Sequence, residues 1–316
     1  MGRFSNGANK TIRRQSMKKI HKLATILTIA IAVFTVLGNQ HALYAQEINV
    51  SASFCPLSEF ASRIGGRYVD VINITPAGSE PHDYEPTPMD IKKVYMSNLF
   101  IFNGAGVDPW AEKMENDLKK KGIVVLKMMN LIASGNDQYI NNHDPHIWLD
   151  PVIAKGMVEA ISRSLQSMDP EHAQYYKNRT NVFIEQLNQL DRDYAHGLAS
   201  CKLHDIVTSH AAFNYLAKRY RFNAYSIAGL SPEEEPSPKT MAQLITLVRQ
   251  KHFKYIFFEQ LVSPKLSETI AREAGAKTFV LDPIEGLTQK EISSGKDYLS
   301  IMQANLKNLR QAMECE

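Results

Sequence analysis

The 316-residue chain contains only three cysteines, Cys55, Cys201 and Cys315, and no two of them form a Cys-x-x-Cys pair. This spacing excludes a zinc ribbon and a thioredoxin-type redox motif. An oxidising compartment still permits one disulfide. We expect Cys201–Cys315, which would pin the chain end to the second half, although the sequence alone does not fix the pairing. Cys55 would then be a small buried core residue.

The chain also lacks a basic body. Its formal charge of +3 includes seven Lys and Arg side chains within residues 1–46, a segment without acidic residues, so residues 47–316 carry −4. We expect no binding to nucleic acid, because nucleic-acid-binding domains carry a basic patch or stripe. With 44% hydrophobic residues the chain is too apolar for a disordered protein, and its length corresponds to about two domains.

No uninterrupted apolar run reaches the roughly 20 residues that a membrane-spanning helix needs. The longest, residues 23–37, follows the basic segment and precedes the small residues Ala42 and Ala45. This order is typical of a secretory signal peptide. We therefore expect a signal over residues 1–45, cleaved on export to the periplasm, with an uncleaved membrane anchor as the alternative. No cysteine follows the run closely, so a lipid anchor is not expected.

Short apolar runs alternate with helical patterns along the rest of the chain. This alternation predicts an α/β fold with two lobes, each containing a parallel sheet flanked by helices. The predicted strands cover residues 48–53, 69–74, 99–103 and 124–127 in the first half, and 205–209, 223–228, 255–258 and 277–281 in the second.

A different pattern separates the two halves. Asp169-Pro170-Glu171 is a strong helix start, and neither Gly nor Pro occurs between residues 178 and 196. We predict one bridging helix of about 29 residues, roughly 43 Å long, with two shorter helices and a bend as the alternative. The predicted domains are an N-terminal lobe over residues 46–168, the bridging helix over 169–199 and a C-terminal lobe over 200–316.

Four side chains with metal-binding chemistry lie just beyond predicted strands: His82, His146, His210 and Asp282. Ligands of open α/β sheets bind at the carboxyl ends of the strands, so these groups are placed to converge. Two come from each half, which predicts a site in the cleft between the lobes. Three imidazoles and a carboxylate suit a borderline divalent metal such as zinc.

Four segments in the expected order carry a family resemblance: PAGSEPHDYEPTPMDIKKV, HDPHIWLDP, VTSHAAFNYLAKRY and LDPIEGLT. They resemble the ligand segments of the zinc/manganese solute-binding proteins of ABC importers, and the similarity extends from about residue 48 to the C-terminus. The resemblance implies two α/β lobes bridged by one long helix, with a single metal in the cleft. Its ligands would be His82, His146, His210 and Asp282. The expected protein is a monomeric, non-enzymatic receptor that passes its metal to a membrane permease.

The resemblance also bears on the choice of metal. Relatives that favour manganese tend to carry Glu where this chain has His210, so we expect Zn²⁺, with Mn²⁺ or iron as alternatives. Glu80 is an uncertain additional ligand, because some zinc relatives use a Glu next to the first histidine and here Pro81 intervenes. Trp148, beside His146, is expected in the core rather than as a wall of the site.

Two other functional classes compete with a metal receptor. A zinc hydrolase needs an open coordination position for water, which Asp282 would fill, and the sequence contains no HExxH or GxSxG motif. An adhesin is the third hypothesis, and no exposed aromatic patch identified in the sequence supports it. The acidic run Glu233-Glu234-Glu235 is interpreted as a solvated loop rather than a permease-docking site.

Overall fold

The computed structural model describes residues 47–133, 141 and 143–316. The predicted signal peptide lies outside the described residues. No helix in the described ranges is long and apolar enough to cross a membrane. The predicted strands from residue 48 onward are confirmed, with ends that differ by at most two residues.

The first half of the chain forms one four-stranded parallel sheet in the order β2-β1-β3-β4. Its central strand β3 is buried along its whole length, because helices cover both faces of a parallel sheet. The strands are β1 (Ile48–Ala52), β2 (Val69–Asn73), β3 (Leu99–Phe102) and β4 (Val124–Lys127). The helices are α1 (Cys55–Gly65), α2 (Pro88–Tyr95), α3 (Pro109–Lys120), α4 (Met128–Ala133) and α5 (Pro151–Met168).

The second half is also built from parallel strands, as predicted, but they form two hydrogen-bonded pairs, β5-β6 and β7-β8, rather than one continuous sheet. The strands are β5 (Asp205–Thr208), β6 (Asn223–Ser226), β7 (Tyr255–Phe258) and β8 (Lys277–Val280). The helices are α7 (Asn214–Tyr220), α8 (Pro238–Gln250), α9 (Lys265–Ala274), α10 (Gln289–Ser293) and α11 (Tyr298–Ala312).

One long helix, α6 (Ala173–Gly197), connects the halves. A single 3₁₀ turn, Pro170–His172, precedes it, and the Asp169 carboxylate accepts the His172 amide there. The helix has 25 residues and is about 38 Å long, somewhat shorter than predicted because its first turn is 3₁₀. It contacts α1 and α5 of the first half and α11 of the second, so it packs against both. The prediction of one helix instead of two is confirmed.

The predicted disulfide Cys201–Cys315 is present and joins residues 114 apart in the sequence. It ties the last residues of the chain to the segment that leads into β5. Cys55 is free and buried at the start of α1. Burial raises the pKa of its thiol to about 12, so it is a core residue rather than a reactive or metal-binding thiolate.

Candidate metal centre

Three of the four predicted ligands come together at one point, joined by a carboxylate that the sequence analysis did not select. His82, His146, His210 and Glu285 each offer one ligand atom, and these atoms lie within 4.8 Å of one another. The side chains of His146 and His210 are completely buried, and those of His82 and Glu285 are 4% and 1% exposed.

The spacing of these atoms fits a small tetrahedral cation. Nε2 of His146 lies 3.2 Å from Nε2 of His210, and each lies 3.2 Å from Oε1 of Glu285. Nε2 of His82 lies 3.5 Å from the same oxygen. A tetrahedron with metal–ligand bonds near 2.0–2.1 Å has edges of roughly 3.3 Å. These four distances are therefore close to those that a zinc ion requires, and all the ligand atoms lie within 4.8 Å of one another.

The two histidines of the first half lie in loops. His146 immediately precedes a 3₁₀ turn, Ile147–Leu149, and Asp150 caps the following α5 by accepting the amide of Val152 at 2.8 Å. The other oxygen of Asp150 accepts from the Nε of Arg219 in the second half at 2.7 Å. His82 lies in the loop between β2 and α2.

Contacts between the halves bring these loops to the site. The indole N–H of Trp148 donates to the carbonyl of Pro283 at 2.7 Å, and the hydroxyl of Tyr298 donates to the carbonyl of Trp148 at 2.6 Å. The amide of Gly78 donates to the carbonyl of Leu287 at 2.9 Å. Trp148 is fully buried, as expected, and its ring centroid also lies 5.3 Å from that of His146.

Asp282, predicted as the fourth ligand, lies outside this cluster, whose carboxylate belongs to Glu285. The Asp282 side chain instead accepts the amide of Ile284 at 2.8 Å, and its backbone exchanges two hydrogen bonds with Asn305. Burial raises the pKa of the Asp282 carboxyl to about 7. It therefore shapes the turn after β8.

That turn aims Glu285 into the site. Ile284 adopts a left-handed backbone conformation with φ of 58°, which a β-branched residue takes only at a cost in strain. Asp282 is the acidic residue nearest to the strand end, which is why the sequence pointed to it. The sequence feature that could have identified Glu285 is its position three residues after Asp282 in the same LDPIEGLT segment, beyond Pro283.

The electrostatics of the cluster favour a cation. Burial lowers the pKa of His210, but the charges of Glu259 and Glu285 outweigh it and hold that pKa well above its usual value. Hydrogen bonds to Asp144 and Glu285 likewise overcome burial and raise the pKa of His146. The neighbouring imidazoles hold the pKa of Glu285 well below its usual value despite burial. The site therefore stabilises positive charge next to an ionised carboxylate.

Several buried atoms around the cluster have no hydrogen-bond partner among the described residues. They are Nε2 of His82 and one carboxylate oxygen each of Glu80, Glu259 and Glu285. Burial, followed by the charge of Glu285, raises the pKa of Glu80 to about 9. Unpartnered buried polar atoms are costly, and a bound cation would compensate that cost.

Comparison with known proteins identifies the family of the chain. The family model described as "ZnuA: Zinc-uptake complex component A periplasmic" matches residues 50–312. The chain belongs to this family. ZnuA of Bacillus subtilis, a high-affinity zinc uptake system protein, is 34% identical over 280 residues, which cover 84% of this chain and 88% of that protein.

Another relative is longer than this chain. The zinc-binding lipoprotein AdcA of Streptococcus pneumoniae is 34% identical over 308 residues, which cover 93% of this chain and 62% of AdcA. The chain therefore spans less than two thirds of the length of that relative.

Solved structures of the family share the fold. The Zn(II)-bound ZnuA-like domain of Streptococcus pneumoniae AdcA aligns with a TM-score of 0.75 at 36% identity, covering 85% of this chain and 99% of that domain. The laminin-binding protein Lmb of Streptococcus agalactiae, described as having adhesin and metal-transporting activity, aligns with a TM-score of 0.75 at 31% identity. The alignment covers 84% of this chain and 99% of Lmb.

Proposed function

We propose that this chain is an extracytoplasmic receptor that binds one zinc ion with high affinity and delivers it for import. The observation that carries this proposal is the cluster of three imidazoles and one carboxylate whose ligand atoms lie within 4.8 Å of one another. We propose His82, His146, His210 and Glu285 as the ligands, with Glu285 in the role that the sequence analysis gave to Asp282. Zinc is the substrate of the protein rather than a resident cofactor.

The donor set supports zinc over manganese. Imidazole nitrogens suit zinc, whereas manganese prefers carboxylate, carbonyl and water oxygens. In this site three of the four donors are nitrogens. Four protein ligands also complete a tetrahedron, whereas a zinc hydrolase keeps one position open for water. The arrangement therefore favours holding and releasing the ion over hydrolytic chemistry.

Delivery follows from the family, whose members are components of a zinc-uptake complex. We propose that the exported chain acts in the periplasm as a monomer and passes zinc to the membrane permease of an ABC importer. We also propose the domain division into lobes over residues 46–168 and 200–316. With this division, each lobe contributes two of the four ligands. The exposed acidic residues Glu233, Glu234 and Glu235 are consistent with a solvated loop.

The test is metal stoichiometry in purified protein from residue 46 onward. We expect about one zinc per chain, retained against a weak chelator, and loss of that zinc in His146→Ala and in His210→Ala. His143→Ala is the matched control, because His143 is exposed in the same loop and outside the cluster. Stoichiometric zinc in both cluster variants would overturn the proposal.

Import is tested in the cell that makes the protein. Deleting the gene should slow the uptake of radioactive zinc at low external concentration. The wild-type chain and His143→Ala should restore uptake, while His146→Ala should not. Full uptake by cells that express only His146→Ala would show that the cluster does not serve transport.

A further inference from the structure

Two of the clustered histidines have a carboxylate behind them. Nδ1 of His210 lies 2.6 Å from Oε1 of Glu259, and Nδ1 of His146 lies 2.8 Å from Oδ1 of Asp144. In each pair a ring N–H at Nδ1 donates to the carboxylate oxygen. Once the ring is neutral, this arrangement leaves the lone pair on Nε2, the atom that faces the centre of the cluster.

We propose that Glu259 is a positioning residue that sets the orientation, the tautomer and the donor strength of His210 toward zinc. This inference rests on the proposed function, since it takes His210 as a metal ligand. Glu259 directly follows β7, so it reaches the ring from a different strand than β5, which precedes His210. The Ser209 hydroxyl donates to the same carboxylate oxygen and fixes it in place.

The burial of Glu259 argues against a purely structural role. The residue is 3% exposed, and its second carboxylate oxygen has no hydrogen-bond partner within the described part of the chain. A carboxylate that served only the fold would be expected to have both oxygens paired, because an unpartnered buried oxygen costs stability. The other oxygen of Glu259 contacts one member of the cluster, the ring of His210.

The third histidine provides an internal comparison. Among the described residues, the ring of His82 has no hydrogen bond from Nδ1 to a carboxylate, and only its backbone amide contacts Glu80. Asp144 also serves other contacts, since it accepts from Asn214 and its carbonyl accepts from Tyr215. Glu259 is therefore the cleaner of the two carboxylates to test.

A negative charge behind an imidazole raises the basicity of the coordinating nitrogen. A more basic nitrogen favours the metal that binds nitrogen ligands more strongly, and zinc exceeds manganese in that order. Loss of the charge should therefore weaken zinc binding more than manganese binding. This difference separates a positioning role from a general loss of structure.

The decisive variant is Glu259→Gln in the full-length chain. Glutamine keeps the size and can still accept from Nδ1 through its carbonyl oxygen, but it removes the charge. We expect zinc affinity, measured by competition with a chromophoric chelator, to fall by about 10–100-fold. Manganese affinity should fall less, and the ring N–H resonance of His210 in zinc-loaded, ¹⁵N-histidine-labelled protein should shift.

Glu291→Gln is the matched control. Glu291 is 4% exposed and accepts a hydroxyl from Thr288, as Glu259 accepts one from Ser209, but it lies in the capping box of α10. A capping box accepts Glu or Gln at this position, so the variant should fold. We expect its zinc affinity, metal preference and His210 resonance to match those of the wild type.

Two results would overturn the inference. One is wild-type zinc affinity in Glu259→Gln; the other is an equal loss of zinc and manganese affinity together with a lower melting temperature of the metal-free protein. His210→Ala separates this inference from the proposed function. If His210→Ala keeps its zinc, the proposed ligand set fails; if it loses zinc while Glu259→Gln does not, only the role of Glu259 fails.

Discussion

The two halves of the chain supply ligands to the same cluster by different routes. In the second half, His210 lies two residues beyond β5 and Glu285 five residues beyond β8. In the first half, His82 lies nine residues beyond β2 and His146 nineteen beyond β4. The second half therefore positions its ligands through nearby strand ends, while the first half positions them through long loops.

The loops of the first half also make contacts with the second half. The backbone of the His82 loop bonds to Leu287, and the segment after His146 bonds to Pro283 and Tyr298. All three partners flank Glu285 or lie in α11 of the second half. The loops of the first half thus pack against the second half, which we call the frame. The following predictions test this description.

The largest effect is expected at the turn after β8. Glu285→Ala removes a carboxylate from the cluster, so zinc affinity should fall by more than the roughly 10–100-fold that loss of an outer partner costs. Asp282→Asn should stay close to the wild type, because asparagine can still accept the amide of Ile284. Competition titrations of both variants decide the matter. Zinc lost from Asp282→Asn but kept by Glu285→Ala would restore the sequence-based ligand set.

The next effect concerns the stability of the frame. Replacing Cys201 and Cys315 together by serine opens a loop whose ends are 114 residues apart. The free energy of unfolding of the metal-free protein should drop by about 2–5 kcal/mol in a denaturant titration. Zinc stoichiometry should be unchanged, since neither cysteine contacts the cluster. An unchanged unfolding free energy would show that the disulfide does not stabilise the second half.

A smaller effect is expected from one contact between the halves. Trp148→Phe keeps an aromatic ring but leaves the buried carbonyl of Pro283 without its donor, which should cost about 1–3 kcal/mol of unfolding free energy. Zinc affinity should fall modestly, because the segment that follows His146 loses its contact to the frame. If the variant melts like the wild type and binds zinc equally well, the first-half loops do not depend on that contact.

The last prediction concerns how zinc affinity changes with each pH unit. The pKa values of His146 and His210 are raised in the folded protein, so their stabilising contribution is present below about pH 6.5 and is lost as the pH rises through the folded values. Zinc must displace these protons. Its apparent affinity should therefore fall about tenfold for each unit by which the pH is lowered, roughly 1.4 kcal/mol, for each imidazole proton displaced. Glu285 stays ionised throughout this range, because its pKa lies well below its usual value.

The measurement is the rise in melting temperature caused by zinc at pH 8 and at pH 6. We expect the larger rise at pH 8, where metal-free protein is less stable and protons compete less. Equal zinc affinity at pH 7.5 and pH 5 would contradict ligation by three histidines.

Most of the fold was predictable because local patterns decide it. The start signal at Asp169 and the absence of helix breakers predicted α6 as one helix, and the alternation of strands and helices predicted parallel sheets. The break between the pairs β5-β6 and β7-β8 was not predictable, since hydrogen bonding between strands depends on their spacing in three dimensions. The same limit applies to the partners of the histidines.

By itself, the amino-acid sequence indicated most of the elements, one possible disulfide and three of the four clustered side chains. These follow from periodicity, from the small number of cysteines and from the position of each histidine beyond a strand. Only the tertiary structure decided that Glu285 rather than Asp282 enters the cluster, and that Glu259 lies behind His210. The reason is geometric: the path of the backbone through the turn, where Ile284 is left-handed, sets the direction of each acidic side chain, and contacts between distant strands leave no local pattern.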